Sequence, residues 1–191
     1  MKRILLMMTI SAPLFFSCKD EDPRVPAEVT QKEILVSGSA TGAYSFYSFE
    51  NGALLPASDS ASNKWDFAMR FATMIVNSNA SGPGGAGVKL VDGVFDSFTE
   101  APADGYAYDT SAVRTAIKDE WYTYNPVTRT FAPKAGKVFI FRTATGKYAK
   151  LEMLTADPTD DNGNAVVPPT RPTKIKYKFR TAYQRNGGRN F

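Results

Sequence analysis

The sequence predicts an all-β protein, a single antiparallel β-rich domain with one short helix. Three observations predict it. First, Ile175, Tyr177, Phe179, Thr181 and Tyr183 alternate with Lys174, Lys176, Lys178 and Arg180, the period-two pattern of a strand with one buried face. Second, Val138-Phe139-Ile140-Phe141-Arg142 and Lys147-Tyr148-Ala149-Lys150-Leu151-Glu152-Met153-Leu154 flank Ala144-Thr145-Gly146, so 137–154 reads as a hairpin. Third, 13 Phe, 9 Tyr and 2 Trp supply the residue types that strands favour.

From the N-terminus, Lys2 and Arg3 precede an apolar run from Ile4 to Phe16. The run is too short for a membrane span, which needs about 20 apolar residues, and Pro13 interrupts it. Residues 1–17 therefore read as a signal peptide ending in the small residue Ser17. Cys18, the single cysteine, follows at once and is the expected lipid-bearing first residue of a mature bacterial lipoprotein, with Phe15 where a lipobox usually has Leu. Lipidation also accounts for a lone cysteine in an exported chain, which has no disulfide partner. Residues 18–31 open with Lys19-Asp20-Glu21-Asp22-Pro23 and form a solvated tether, since such a segment has no apolar surface to bury. That acidic stretch resembles an export tag of surface lipoproteins, and the expected location is the outer membrane, lipid-anchored at the cell surface.

The domain is expected over 32–191. Strands are predicted at Glu33–Ser37 and Ala43–Glu50, with a turn at Glu50-Asn51-Gly52. Trp65 to Val76 alternates as one long strand, with Trp65, Phe67, Met69, Phe71 and Ile75 on one face. Asn77 to Gly87 is a glycine-rich loop whose spacing fits no phosphate-binding motif. Val88–Val91 and Val94–Phe98 follow as short strands. Asp109 to Glu120 carries the one helical pattern, with Asp109, Thr110 or Ser111 as cap and Val113, Ile117 and Trp121 at helical spacing. Trp121 to Pro126 leaves it as an aromatic strand or loop. Asp157 to Pro172 is a loop in which Asp157, Asp160, Asp161 and Asn162 depart from EF-hand spacing. The basic row of 174–180 reads as a solvated face that discourages edge pairing.

Composition narrows the function. Removing Lys2 and Arg3 from 23 basic residues leaves 21 against 19 acidic, a nearly neutral mature chain that gives no reason to expect nucleic-acid binding. No histidine occurs, which removes the commonest metal ligand and general base and excludes Ser-His-Asp, Cys-His and HExxH arrangements. Asp66, Asp92, Asp96, Glu100 and Asp104 offer carboxylates, but none is singled out as a catalytic pair. The expectation is a binding protein, not an enzyme.

Several stretches then add up. Tyr44-Ser45-Phe46-Tyr47-Ser48-Phe49-Glu50-Asn51-Gly52 precedes Asn63-Lys64-Trp65-Asp66-Phe67-Ala68-Met69-Arg70-Phe71. The glycine-rich loop, Pro102-Ala103-Asp104-Gly105-Tyr106, the 137–154 hairpin and Tyr183-Gln184-Arg185-Asn186-Gly187 follow in order. Together they resemble the HmuY-type haem-binding lipoproteins over about Lys32 to Phe191. The resemblance implies an all-β, hand-like domain outside the cell that takes up haem and passes it to a TonB-dependent outer-membrane receptor. Its members hold the iron with two axial side chains, His or Met. Here no His exists, the stretch between Tyr108 and Lys137 is short, and the domain's methionines are Met69, Met74 and Met153, all in predicted strands where core packing is their default role. Tyr122 and Tyr124 lie near the position of one family ligand, and tyrosine is a known haem-iron ligand. The resemblance thus implies haem, or a related iron-bearing ligand, as cargo. The missing His keeps open a non-haem binding module for a glycan, a siderophore or a protein partner.

Overall fold

The computed structural model describes residues 26–112, 116–117, 119–128, 130–167 and 170–191. The signal peptide, Cys18 and most of the tether lie outside them. Eleven strands form among the described residues: β1 Val29–Ser37, β2 Ser45–Ser48, β3 Ala53–Leu55, β4 Phe67–Arg70, β5 Thr73–Val76, β6 Gly87–Asp92, β7 Tyr122–Asn125, β8 Thr130–Pro133, β9 Lys137–Arg142, β10 Tyr148–Thr159 and β11 Lys174–Gln184. One sheet runs β1-β11-β10-β9-β6, a second β3-β2-β4-β5, and β7-β8 is a separate ribbon. Every pairing is antiparallel. The all-β, antiparallel expectation therefore holds.

The two larger sheets share one core. Ile34 and Val36 from β1, Phe139 and Phe141 from β9, and Tyr177 and Phe179 from β11 meet Tyr47, Phe67, Met69, Met74 and Val76 from the second sheet. Tyr47 sits 4.9 Å from Phe67 and 5.4 Å from Phe179, ring centre to ring centre. Each such side chain contributes about 1.5–3 kcal/mol on burial. β9 is buried on both faces, which explains its unbroken apolar run: Phe139 and Phe141 point into the shared core, while Val138 and Ile140 join Phe95, Ala101 and Ala182 on the outer side.

Several expected elements take other forms. β1 begins at Val29, inside the stretch read as tether, because Val29, Thr30 and Gln31 pair with Ala182, Thr181 and Arg180. Trp65–Val76 is a hairpin and not one strand: Phe71 adopts a φ of 45° and turns the chain between Arg70 and Thr73. No glycine or asparagine marks that turn. Tertiary bonds hold it, since the Phe71 amide donates to Ser37 O at 2.6 Å and the Tyr177 hydroxyl donates to Phe71 O at 2.7 Å. The reversal puts Ile75 and Trp65 together with Ala68 on the outer side, away from Phe67 and Met69.

Val94–Phe98 is not a strand either, and Phe95–Ser97 is a 3-10 turn. The Asp109–Glu120 helix is likewise corrected. The described residues there hold only the 3-10 turn Asp119–Trp121, and Val113 lies outside them. Asp109 does not cap a helix. Its buried carboxylate accepts the Val76 and Ala116 amides at 2.9 and 2.6 Å, stitching a loop to β5, while Ile117 and Trp121 are separate inward anchors.

β11 is paired on both sides, so its basic row guards no edge. Arg180 from that row donates to Glu152 at 2.6 Å and to Asp96 at 3.2 Å. β10 extends past the expected hairpin to Thr159, with a register shift between Met153 and Thr155 that leaves Leu154 37% exposed.

Candidate ligand-binding site

The β7–β8 ribbon carries both tyrosines singled out in the sequence. Trp121 and Phe131, both buried, root it in the core. Tyr122 pairs with Pro133 and Tyr124 with Phe131. Alternate positions of one strand share a face. The Tyr122 ring packs 5.0 Å from Trp121 and 5.5 Å from Phe131, and Tyr124, next on that face, is 52% exposed. Burial raises the Tyr122 phenol above its ordinary pKa, and the neighbouring Asp119 carboxylate, which shares a hydrogen bond with it, adds to the rise.

Met69, Met74 and Met153 are buried in the shared core, the place their strand positions predict. Among the described residues no group of three or more His, Cys, Asp or Glu side chains is arranged to hold a metal ion. Asp160 is engaged locally, its carboxylate accepting the amides of Asn162 and Asn164, both at 2.9 Å. The glycine-rich loop is a packing device. A Cβ on Gly82 would lie 2.2 Å from the Asn77 side chain and 2.6 Å from Trp65. Asn77 in turn donates to Trp65 O and accepts from the Gly84 amide.

A second region gathers residues that the motif reading passed over. At one end of the sandwich the two sheets part around the Glu50–Gly52 turn. On one flank lies a cleft of about 540 Å³ whose lining includes Lys32, Tyr47, Phe49, Asn51, Tyr183 and Arg185. On the other lies a hollow of about 330 Å³ reaching Asn63, Asp66 and Lys147. Glu50 stands between them. It accepts from Lys147 Nζ at 3.0 Å, from Arg185 at 2.7 Å and from the Tyr183 hydroxyl. The Tyr183 hydrogen bond foremost, with the two cations, holds Glu50 below the usual carboxylate range. Burial pushes Asp66 up to about 6, against the pull of amide hydrogen bonds from Phe49 and Ala144. One signal for this region was present in the sequence: Lys32 continues the inward row of Ile34 and Val36 at strand spacing.

Two antiparallel sheets around one aromatic core, with a polar cleft at one end, define the class as an all-β sandwich. The chain belongs to the HmuY protein family, whose sequence profile matches residues 40–168. This is a family of binding and transport proteins. Among solved structures, the apo HmuY analogue of Tannerella forsythia is similar at a TM-score of 0.50 and 14% identity, over 82% of this chain and 98% of that one. Apo PinO from Porphyromonas gingivitis is similar at a TM-score of 0.54 and 13% identity, over 81% and 97%. At such identities the likeness shows the fold. No curated protein sequence matches the chain.

Proposed function

We propose that this protein captures haem, or a related planar iron-bearing ligand, outside the cell and hands it to a TonB-dependent outer-membrane receptor. Family membership over 40–168, a stretch that includes the whole β7–β8 ribbon, is the observation that carries the reading. The side chains available to iron support it. With no His in the chain and the domain's methionines buried, Tyr122 and Tyr124 are the phenol oxygens that the ribbon offers to iron. Tyr122 has a carboxylate, Asp119, in place to take the phenol proton as iron binds. Tyr124 offers an exposed aromatic face beside it.

Anchorage belongs to the same reading. Cleavage after Ser17 and lipidation of Cys18 leave the domain on an acidic tether at the outer membrane, where cargo and receptor both meet it. Among the described residues no helix is long and apolar enough to cross a membrane.

Titration of haemin into the mature chain tests the function, followed by absorbance in the Soret region. Capture shifts and sharpens the band with saturation at one equivalent. A spectrum that stays that of free haemin refutes haem as the cargo.

A further inference from the structure

The cleft at the open end of the sandwich is separate from the β7–β8 ribbon and has its own chemistry. The core-facing row of β1 reads Thr30, Lys32, Ile34, Val36, and its last two members are buried. The facing row of β11 reads Tyr177, Phe179, Thr181, Tyr183, in register, with Lys32 opposite Phe179 and Thr30 opposite Thr181. Both rows turn polar toward this end, β1 from Lys32 and β11 one pair further along, from Thr181, where an ordinary sandwich would close with apolar side chains.

Lys32 is the unusual member. It points inward, lines the cleft and has no carboxylate partner among the described residues. Its ammonium lies over Gly52, where a Cβ would come within 3.1 Å of it. Arg185, the second cation of the cleft, is held by Glu50 at 2.7 Å. Tyr47, also in the lining, is 1% exposed, and its hydroxyl has no hydrogen-bond partner in the protein.

The rest of the lining sets the ligand class. Phe49 and Tyr183 stack at 6.2 Å and 20°, giving an aromatic wall. Thr30 and Asn51 add a hydroxyl and an amide that both donate and accept, Thr181 lies behind them with its hydroxyl donated to Lys150 O at 2.8 Å, and Glu28 is an exposed carboxylate at the rim. Groups that both donate and accept match ligand hydroxyls, which do the same. Aromatic faces match the apolar faces of a ring, and an unpaired ammonium matches a carboxylate. We propose that this cleft binds an acidic saccharide, a sugar ring bearing a carboxylate, with Lys32 as the residue that selects for the charge. The cleft contains no open iron ligand, since Tyr183 is bonded to Glu50 and Tyr47 is buried, so this site stands whether or not the ribbon takes haem.

Calorimetric titration of the full chain with D-glucuronate, N-acetylneuraminate, D-glucose and acetate tests it. At least one acidic sugar is expected to bind at least tenfold more tightly than glucose, and acetate more weakly than that sugar. Lys32→Met is expected to lower the acidic-sugar affinity at least tenfold, Lys32→Arg to retain most of it, and both to leave the haemin titration unchanged. Failure of both acidic sugars to bind the wild-type chain overturns the proposal, whatever the variants do. Binding of acetate as tight as that of the sugars overturns the saccharide assignment. Equal affinity in folded Lys32→Met overturns the role of Lys32.

Discussion

Asp66 Oδ1 accepts the amide hydrogen of Ala144 at 2.9 Å across 78 residues of sequence, pinning the entry to β4 onto the turn of the β9–β10 hairpin. Its other oxygen accepts the Phe49 amide at 2.7 Å. One buried carboxylate thus fixes three segments around the Glu50–Gly52 turn, and the geometry of the cleft depends on it.

Asp66 should set a pH dependence of stability. Burial raises its folded-state pKa to about 6 from 3.8, so the folded chain holds the proton more tightly than the unfolded one. The stability this group contributes is fullest below the unfolded value, falls as pH rises through about 6, and is flat above. Unfolding by urea from acid to neutral pH, compared between wild type and Asp66→Asn, should show a difference that declines by on the order of 2–3 kcal/mol across that window. At neutral pH the variant still loses stability if the unpaired amide outweighs the relief of buried charge, because Asn has one acceptor oxygen for two amides. A difference independent of pH refutes the raised value.

Tyr177→Phe removes the hydroxyl that donates to Phe71 O at 2.7 Å. The ring keeps its place in the core, but the β4–β5 turn loses the bond that holds its left-handed residue. A loss of about 1–2 kcal/mol in urea unfolding is expected, with faster amide exchange at Ala72 and Thr73. An unchanged midpoint would mean that the turn does not need the bond.

Lys150 is 4% exposed and forms no salt bridge with a carboxylate among the described residues. Its ammonium donates to Phe95 O at 3.0 Å and Phe98 O at 2.8 Å and lies 4.4 Å from the centre of the Phe95 ring. Burial lowers its pKa. Lys150→Met leaves Phe98 O without this donor and Phe95 O with only the long 3.4 Å bond from the Phe98 amide, and should cost about 3 kcal/mol, measured by chemical denaturation. The Phe95–Ser97 turn should loosen first.

How much of this was legible in the sequence depended on where each pattern had its cause. The alternation of β11 and the paired apolar runs of β9 and β10 are local, and Gly146, at a φ of 85°, marks the turn between the latter. The β4–β5 turn was hidden because its left-handed residue is a phenylalanine, held by Tyr177 and Ser37 from distant strands. Asp109 read as a helix cap because caps and loop stitches use the same carboxylate chemistry, and only the fold shows which amides it receives. The stretch Trp121–Pro126 read as an aromatic strand or loop, and it forms β7, whereas Tyr122 and Tyr124 were singled out only through the family resemblance. The cleft was not legible, since Lys32, Glu50 and Arg185 come together only when β1, the β2–β3 turn and the C-terminal end of β11 meet.

Cys18→Ser should abolish labelling of the chain by a fatty-acid tracer in the producing cells and release the protein from the membrane fraction. Label that persists in the variant would place the anchor elsewhere.

The central claim is that a tyrosine oxygen of the β7–β8 ribbon holds the iron of a bound haem. Resonance Raman spectroscopy of the haemin-loaded chain reads that bond directly. Iron-phenolate modes in the wild type, lost in Tyr122→Phe, are the expected result. A haemin complex without phenolate modes, or one that keeps them in both Tyr122→Phe and Tyr124→Phe, would contradict it.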